Sequence, residues 1–257
     1  MLIFEEKNDK IKSMRNIKLE LRFDGAKYHG WQIQPNAVTV QEVVSQAVSK
    51  ITKENIKVFG CSRTDSGVHA NYYVASFNTE SSIPDENFPA AINSMLPDDI
   101  VCSGAKSMSE DFHAITSAKK KTYLYKIDNS KVRNPFMAKH VWHYSGKLDF
   151  ESMCRAAEYF IGTHDFVAFV AAGFTAKTTE RTIFNAELSK DGDIINFKIT
   201  GDGFLYNMVR IITGTLLWVG IGKIKPEEIP DIIASKKREK AGITAPPDGL
   251  YLWEVEY

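Results

Sequence analysis

The sequence predicts an α+β fold of two tandem split-βαβ (ferredoxin-like) units, whose antiparallel and mixed sheets merge around a central cleft. Two observations predict it. The hydrophobic pattern runs β-α-β-β-α-β twice along the chain. The chain is also long and apolar enough, at 257 residues and 44% hydrophobic, to bury a large core.

In the first half Ile17, Leu19, Leu21 and Phe23 alternate with polar neighbours, as in a half-buried strand. Thr39 reads as an N-cap, and Val40, Val43, Val44, Ala47, Val48 and Ile51 fall on one helical face. Strands are expected over 56–59 and 72–78, a short helix over 86–95 and a strand over 100–107. In the second half the pattern predicts a strand over 121–128, a helix over 150–161 and strands over 182–189 and 194–200. A long apolar helix over 204–220 and a closing strand over 250–255 follow. The division falls near 108–116, giving units 14–110 and 111–257. Residues 1–13 read as a flexible extension, because Met14-Arg15-Asn16 leads directly into the first strand.

Composition removes several classes. Thirty-two basic and 32 acidic residues leave no net charge, which weighs against a protein that coats nucleic acid nonspecifically. The densest basic runs are Lys119-Lys120-Lys121 and Lys236-Lys237-Arg238-Glu239-Lys240. No apolar run reaches the roughly 20 residues of a membrane span, and the N-terminus has no secretory pattern. Cys61, Cys102 and Cys154 are odd in number and far apart, so neither a disulfide framework nor a metal spacing is expected. The cytoplasm is the expected compartment. His140 and His143 are the closest histidines and lack zinc spacing. Without a Walker loop or a Rossmann fingerprint, the chemistry is expected to need no cofactor, nucleotide or metal.

Four segments, and the histidines, are candidates for chemistry. Gly60-Cys61-Ser62-Arg63-Thr64-Asp65-Ser66-Gly67-Val68-His69-Ala70 is a polar, Gly-bounded turn between two apolar runs. Arg63 and Asp65, two apart, leave the same side of an extended turn. A carboxylate presented there is a candidate nucleophile or base, or half of a surface ion pair. Phe23-Asp24-Gly25-Ala26-Lys27-Tyr28-His29-Gly30-Trp31-Gln32 sets aromatics among polar donors, which suits stacking on unpaired bases or packing on the core. Tyr123 and Tyr125 share a strand face, as a platform or as core. Arg210 lies in an otherwise apolar helix and needs an anion or a cleft; Asp65, Asp24 and Asp202 are candidate partners. The six histidines are scattered.

Read together, these segments closely resemble the tRNA pseudouridine synthase A (TruA) family. The blocks Phe23-Asp24-Gly25 through Gln32, Thr39-Val40-Gln41-Glu42, Arg63-Thr64-Asp65-Ser66-Gly67-Val68-His69-Ala70, Asp111-Phe112-His113-Ala114, Lys121-Thr122-Tyr123-Leu124-Tyr125, Gly162-Thr163-His164-Asp165-Phe166, Phe204 through Arg210 and Ala245 through Leu252 occur in family order. The resemblance covers essentially the whole chain from Met14. It implies the pseudouridine synthase fold and isomerisation of uridine to pseudouridine in the tRNA anticodon stem-loop, at tRNA positions 38 to 40. By the same resemblance Asp65 is the nucleophile, Arg210 its ion-pair partner and Tyr123 the ring that stacks on the target base. Arg63 helps displace the base and Leu250 packs near it; Tyr28 and His69 join them as substrate contacts. A homodimer without cofactor, acting on tRNA, is implied as well. Cys61-Ser62 replaces the commoner Ala-Gly, and Ser66 the commoner Ala, all small residues. Two other readings are a noncatalytic RNA-binding protein on the same scaffold, using Tyr28, Trp31 and Lys119–Lys121 without Asp65, and an aspartate-nucleophile hydrolase of small molecules.

Overall fold

A computed structural model describes residues 14–257; the extension expected over residues 1–13 lies outside them. The elements in order are β1 (Arg15–Phe23), α1 (Val40–Thr52), β2 (Phe59–Gly60), β3 (His69–Thr79), α2 (Phe88–Asn93), β4 (Ile100–Met108) and β5 (Lys120–Asp128). Then come β6 (Trp142–His143), α3 (Phe150–Glu158), β7 (Gly162–Asp165), β8 (Glu180–Asp191), β9 (Ile194–Gly201), α4 (Met208–Gly220), α5 (Ile229–Ser235) and β10 (Leu250–Glu256). One mixed sheet runs β4-β1-β3-β10-β5-β9-β8-β7, with β2 on β3 and β6 on β5. The two expected sheets merge through the last strand. β10 pairs parallel with β3 at Tyr251↔His69 and antiparallel with β5 at Leu252↔Tyr123.

The alternation in β1 behaves as its pattern predicts: Ile17, Leu19 and Leu21 are fully buried. Thr39 caps α1, its hydroxyl accepting from Glu42 N–H at 3.4 Å, and Val40, Val44, Ala47 and Val48 line the buried face.

Three expectations change. The strand expected over 56–59 shrinks to Phe59–Gly60, because its neighbours bond to α1 instead of to a strand. Ile56 N–H donates to Ser49 Oγ, Val58 N–H to Ser45 Oγ, and Gln41 Nε2 donates to the Val58 carbonyl. The helix expected over 204–220 begins at Met208. Asn207 stands in the left-handed region at φ 59, which ends helical continuity. Finally β7 and α5 had no expected counterpart. Four strand residues and seven helical residues show too little period to read, although Ile229, Ile232 and Ile233 of α5 are buried.

In α4 every residue but Arg210 and Trp218 is buried. Thr213 and Thr215 bond back to Val209 and Ile211 carbonyls, and Thr215 Oγ1 also accepts from Gly242 N–H at 2.8 Å. The 242–245 segment therefore lies directly on the helix. A Cβ at Gly214 would stand 1.9 Å from the Ile243 carbonyl oxygen. Gly214→Ala is expected to lower stability by about 1–3 kcal/mol through overpacking. Activity should fall with it, because the same segment holds Arg210. Thermal melts of the pair check this; an unchanged melting temperature would show that the segment yields freely. No helix among the described residues is long and apolar enough to cross a membrane.

Candidate active site

The Asp65 loop is held from below. Trp31 N–H donates to the Thr64 carbonyl at 3.1 Å and Gly67 N–H to the Tyr28 carbonyl at 3.1 Å. The Tyr73 hydroxyl donates to the Ser62 carbonyl. Gly30 and Gly67 carry positive φ, 78° and 80°; a Cβ on Gly30 would stand 2.3 Å from the Thr64 oxygen, so the chain needs glycine there. Trp31 stacks on Tyr73 with centroids 4.3 Å apart and is 2% exposed. The aromatic block from Phe23 to Gln32 is thus the floor of the loop. As a platform for bases its rings are unavailable, and the core alternative holds.

Asp65 meets the other half of the chain at Arg210. Nη1 of Arg210 lies 3.0 Å from Asp65 Oδ2, with side chains 15% and 20% exposed. Nη1 also donates to Asn207 Oδ1 at 2.7 Å, and Nε to the Ala245 carbonyl at 2.7 Å. Of the candidate partners, Asp24 is occupied elsewhere and Asp202 accepts from Thr182 N–H. Arg210 occupies the first turn of α4, the end where the helix dipole disfavours a cation. Its placement is explained by the carboxylate and two oxygens it bridges, not by the helix. Burial pushes the Asp65 carboxyl above its ordinary value; the charge and hydrogen bond of Arg210 pull the other way without cancelling it.

The pair forms one wall of a cavity of about 560 Å³, which Arg63, Tyr123, Phe204 and Leu250 also line. Arg63 is exposed. The Tyr123 hydroxyl shares a hydrogen bond of 2.9 Å with Ser62 Oγ, and its ring meets Phe204 edge-on at 5.1 Å. Burial raises the Tyr123 hydroxyl above the usual phenol range. Tyr125 is core, its hydroxyl donating to the Pro246 carbonyl.

The chain is similar to proteins already known. A family model described as tRNA pseudouridine synthase matches residues 21–117 and 156–257. The chain belongs to the tRNA pseudouridine synthase family. A "tRNA pseudouridine synthase A" of Thermoanaerobacter sp. (strain X514) is 54% identical over 95% of this chain and 100% of its own length. The same figures hold for one from Acetivibrio thermocellus. A "tRNA pseudouridine synthase A 2" of Clostridium perfringens is 50% identical over the same shares. As a member of this family the chain is an isomerase.

The structure does not bring every expected residue of this family member to the cavity. Tyr28 is 6% exposed beneath the loop, and its hydroxyl donates to Asp99 Oδ1 at 2.5 Å. His69 is 2% exposed and faces away, toward a second pocket of about 460 Å³ lined also by Asp24 and His140. Neither lines the cavity, and both have bonds that support the loop. His69, Asp24 and His140 place one ligand-type atom each within 4.8 Å of one another, a grouping that no linear spacing shows. Both ring nitrogens of His69 already have protein partners, Nδ1 at Gly25 N–H and Nε2 at the Lys139 carbonyl. Sequence reasoning missed Ile115 and the segment from Gly173 to Ala176, which line the cavity mouth. Ile115 and Phe174 are exposed apolar residues there, a feature that only the fold reveals.

Proposed function

We propose that this synthase converts uridine to pseudouridine in the anticodon stem-loop of tRNA, with Asp65 as the nucleophile. The observation that carries the reading is a carboxylate and a guanidinium from opposite halves of the chain, paired at 3.0 Å in the wall of a cavity. The reaction breaks the N1–C1′ bond, turns the base and forms C5–C1′; the proton leaves C5 and N1 gains one. Redox state is unchanged and no water is consumed, so a carboxylate nucleophile suffices. Attack at C6 of the base or at C1′ of the sugar are both compatible with the site.

The target must leave its stack, at a cost of a few kcal/mol. Arg63 at the cavity mouth offsets this by filling the space left and meeting phosphate. Tyr123 and Leu250 hold the extruded base from either side. Arg210 keeps Asp65 ionised against the desolvation that burial imposes. We further read units 14–110 and 111–257 as the two walls of the cleft, a homodimer as the assembly that grips tRNA, and the cytoplasm as its compartment.

Tritium release from tRNA transcripts carrying 5-tritiated uridine tests this, followed by mapping of the product with carbodiimide-stop sequencing. One tritium released per modified anticodon-arm uridine is expected. Binding of tRNA with no release would leave a noncatalytic RNA-binding protein. The pH profile has a definite sign too. Because burial raises the Asp65 carboxyl above its ordinary value, kcat/KM should rise with pH along an acid limb displaced upward from an ordinary aspartate. A profile flat down to pH 4 would remove the ionised carboxylate from the mechanism.

A further inference from the structure

Lys121 carries a charge that nothing in the described residues answers. It precedes Tyr123 by two positions on β5, so the two side chains leave one face of the strand, and both line the cavity. Among the described residues, no ion pair or hydrogen bond involves its ammonium. Across the sheet Lys121 pairs with Gly201, and Gly201 with Ile183. Gly201 has no side chain, and Ile183 and Phe204 close over it: a Cβ there would meet Ile183 Cδ1 at 2.9 Å and the Phe204 ring at 3.3 Å. Arg181 stands two residues before Ile183 on β8; it is not itself one of the residues that line the cavity, but it lies beside the segment that leads into the cavity wall. A Cβ on Gly203 would meet Arg181 Nε at 3.4 Å, just before Phe204 in the cavity wall. Arg181 Nη1 is held by the Thr178 and Glu180 carbonyls, and no carboxylate pairs with it among the described residues.

The electrostatics agree with the geometry. Burial lowers the Lys121 ammonium below the usual lysine range; a Cys61 thiolate would oppose this, and the Arg181 charge adds to it. The thiolate is absent at neutral pH, because burial pushes the Cys61 thiol up to about 11. Two neighbouring cations thus lack an anion. Arg210 is in a different position: its charge is already answered by the Asp65 carboxylate, and its Nε and Nη1 are engaged by Ala245, Asn207 and Asp65.

We propose that Lys121 and Arg181 form a subsite for a backbone phosphate flanking the target uridine, distinct from the Asp65–Arg210 pair. This rests on the tRNA reading above. A nucleotide that flips about its backbone carries its own phosphate toward the cavity, and a phosphate leaving water there needs charge-assisted donors. Arg181 supplies a fixed guanidinium and Lys121 a point charge.

The experiment combines filter binding and steady-state tritium release for the wild type, Lys121→Ala, Lys121→Arg and Arg181→Ala, over a series of KCl concentrations. Lys121→Ala should weaken tRNA binding and raise KM by about 10-fold while kcat stays within about 2-fold. The slope of log binding constant against log salt should become shallower by about 0.7–0.9, the equivalent of one phosphate. Lys121→Arg should restore most of the affinity, and Lys121→Ala combined with Arg181→Ala should weaken binding by less than the product of the two. A loss from misfolding would lower the melting temperature and leave the salt slope of the folded fraction unchanged, which overturns the subsite. Unchanged affinity and slope in Lys121→Ala also overturn it, as does a fall in kcat alone. A wild type that binds tRNA and releases no tritium sinks the catalytic reading instead, while its binding slopes still decide the subsite.

Discussion

Asp65→Asn is expected to abolish pseudouridine formation and to leave tRNA binding nearly intact. The amide has the shape of the carboxylate and still offers Arg210 Nη1 an oxygen at the position now 3.0 Å away. The loop keeps its backbone bonds to Trp31 and Tyr28, none of which uses the Asp65 side chain. What disappears is the negative charge and the lone pair able to form a covalent bond. Loss of a single catalytic group costs about 10²–10⁴-fold, so less than about one part in 100 of the activity should remain. The affinity for tRNA should change by less than about 3-fold, since phosphate and base contacts elsewhere are untouched. Tritium release read beside filter binding separates the two quantities. Activity above about one per cent, with the variant sequenced and free of wild-type contamination, would remove Asp65 from the chemistry and leave Arg210 as a structural cation.

How much of this could be read without coordinates depends on how local the cause was. The strand alternation from Ile17 to Phe23 and the helical face from Val40 to Ile51 are properties of one segment, and they hold. The need of Arg210 for an anion was also local, because an apolar helix declares the cost of its one charge. Which of three aspartates would supply the anion was not local. It follows from β10 joining β3 to β5, a pairing across more than a hundred residues. The burial of Tyr28 and His69 outside the cavity has a related cause. Both lie beside the Asp65 turn in sequence or in the family blocks, but a tight loop needs a floor. The residues nearest it, Tyr28, Trp31 and His69, are spent on that floor and not on the cavity. The segment from Gly173 to Ala176 reaches the cavity only through the tertiary fold and has no period, charge or cap that announces it.

Arg210→Ala is expected to damage stability and chemistry together, and the pH dependence of each identifies the cause. The truncation removes the partner of Asp65, the donor to Asn207 Oδ1 and the donor to the Ala245 carbonyl. Breaking a buried pair by removing one member costs about 3–5 kcal/mol. With the two side chains still 15% and 20% exposed, about 3 kcal/mol is expected, or roughly 6–12 °C in melting temperature for a chain of this size. Asp65, already above its ordinary carboxyl value, loses the one group that pulls it down and must titrate higher still. A carboxyl raised in the folded state binds its proton more tightly there than in the unfolded chain. Folding stability therefore falls as pH rises from the unfolded value to the folded one, and recovers as pH drops back through that window. The gap in stability between wild type and Arg210→Ala should accordingly be widest at neutral pH and narrow in acid, where a protonated Asp65 needs no counter-ion. The acid limb of any residual activity should move upward in step. Melts followed by circular dichroism between pH 4 and pH 8, alongside the rate profile, measure both. A constant gap across that range would mean that the loss comes from the Ala245 and Asn207 hydrogen bonds. The ion pair would then not be what keeps Asp65 charged.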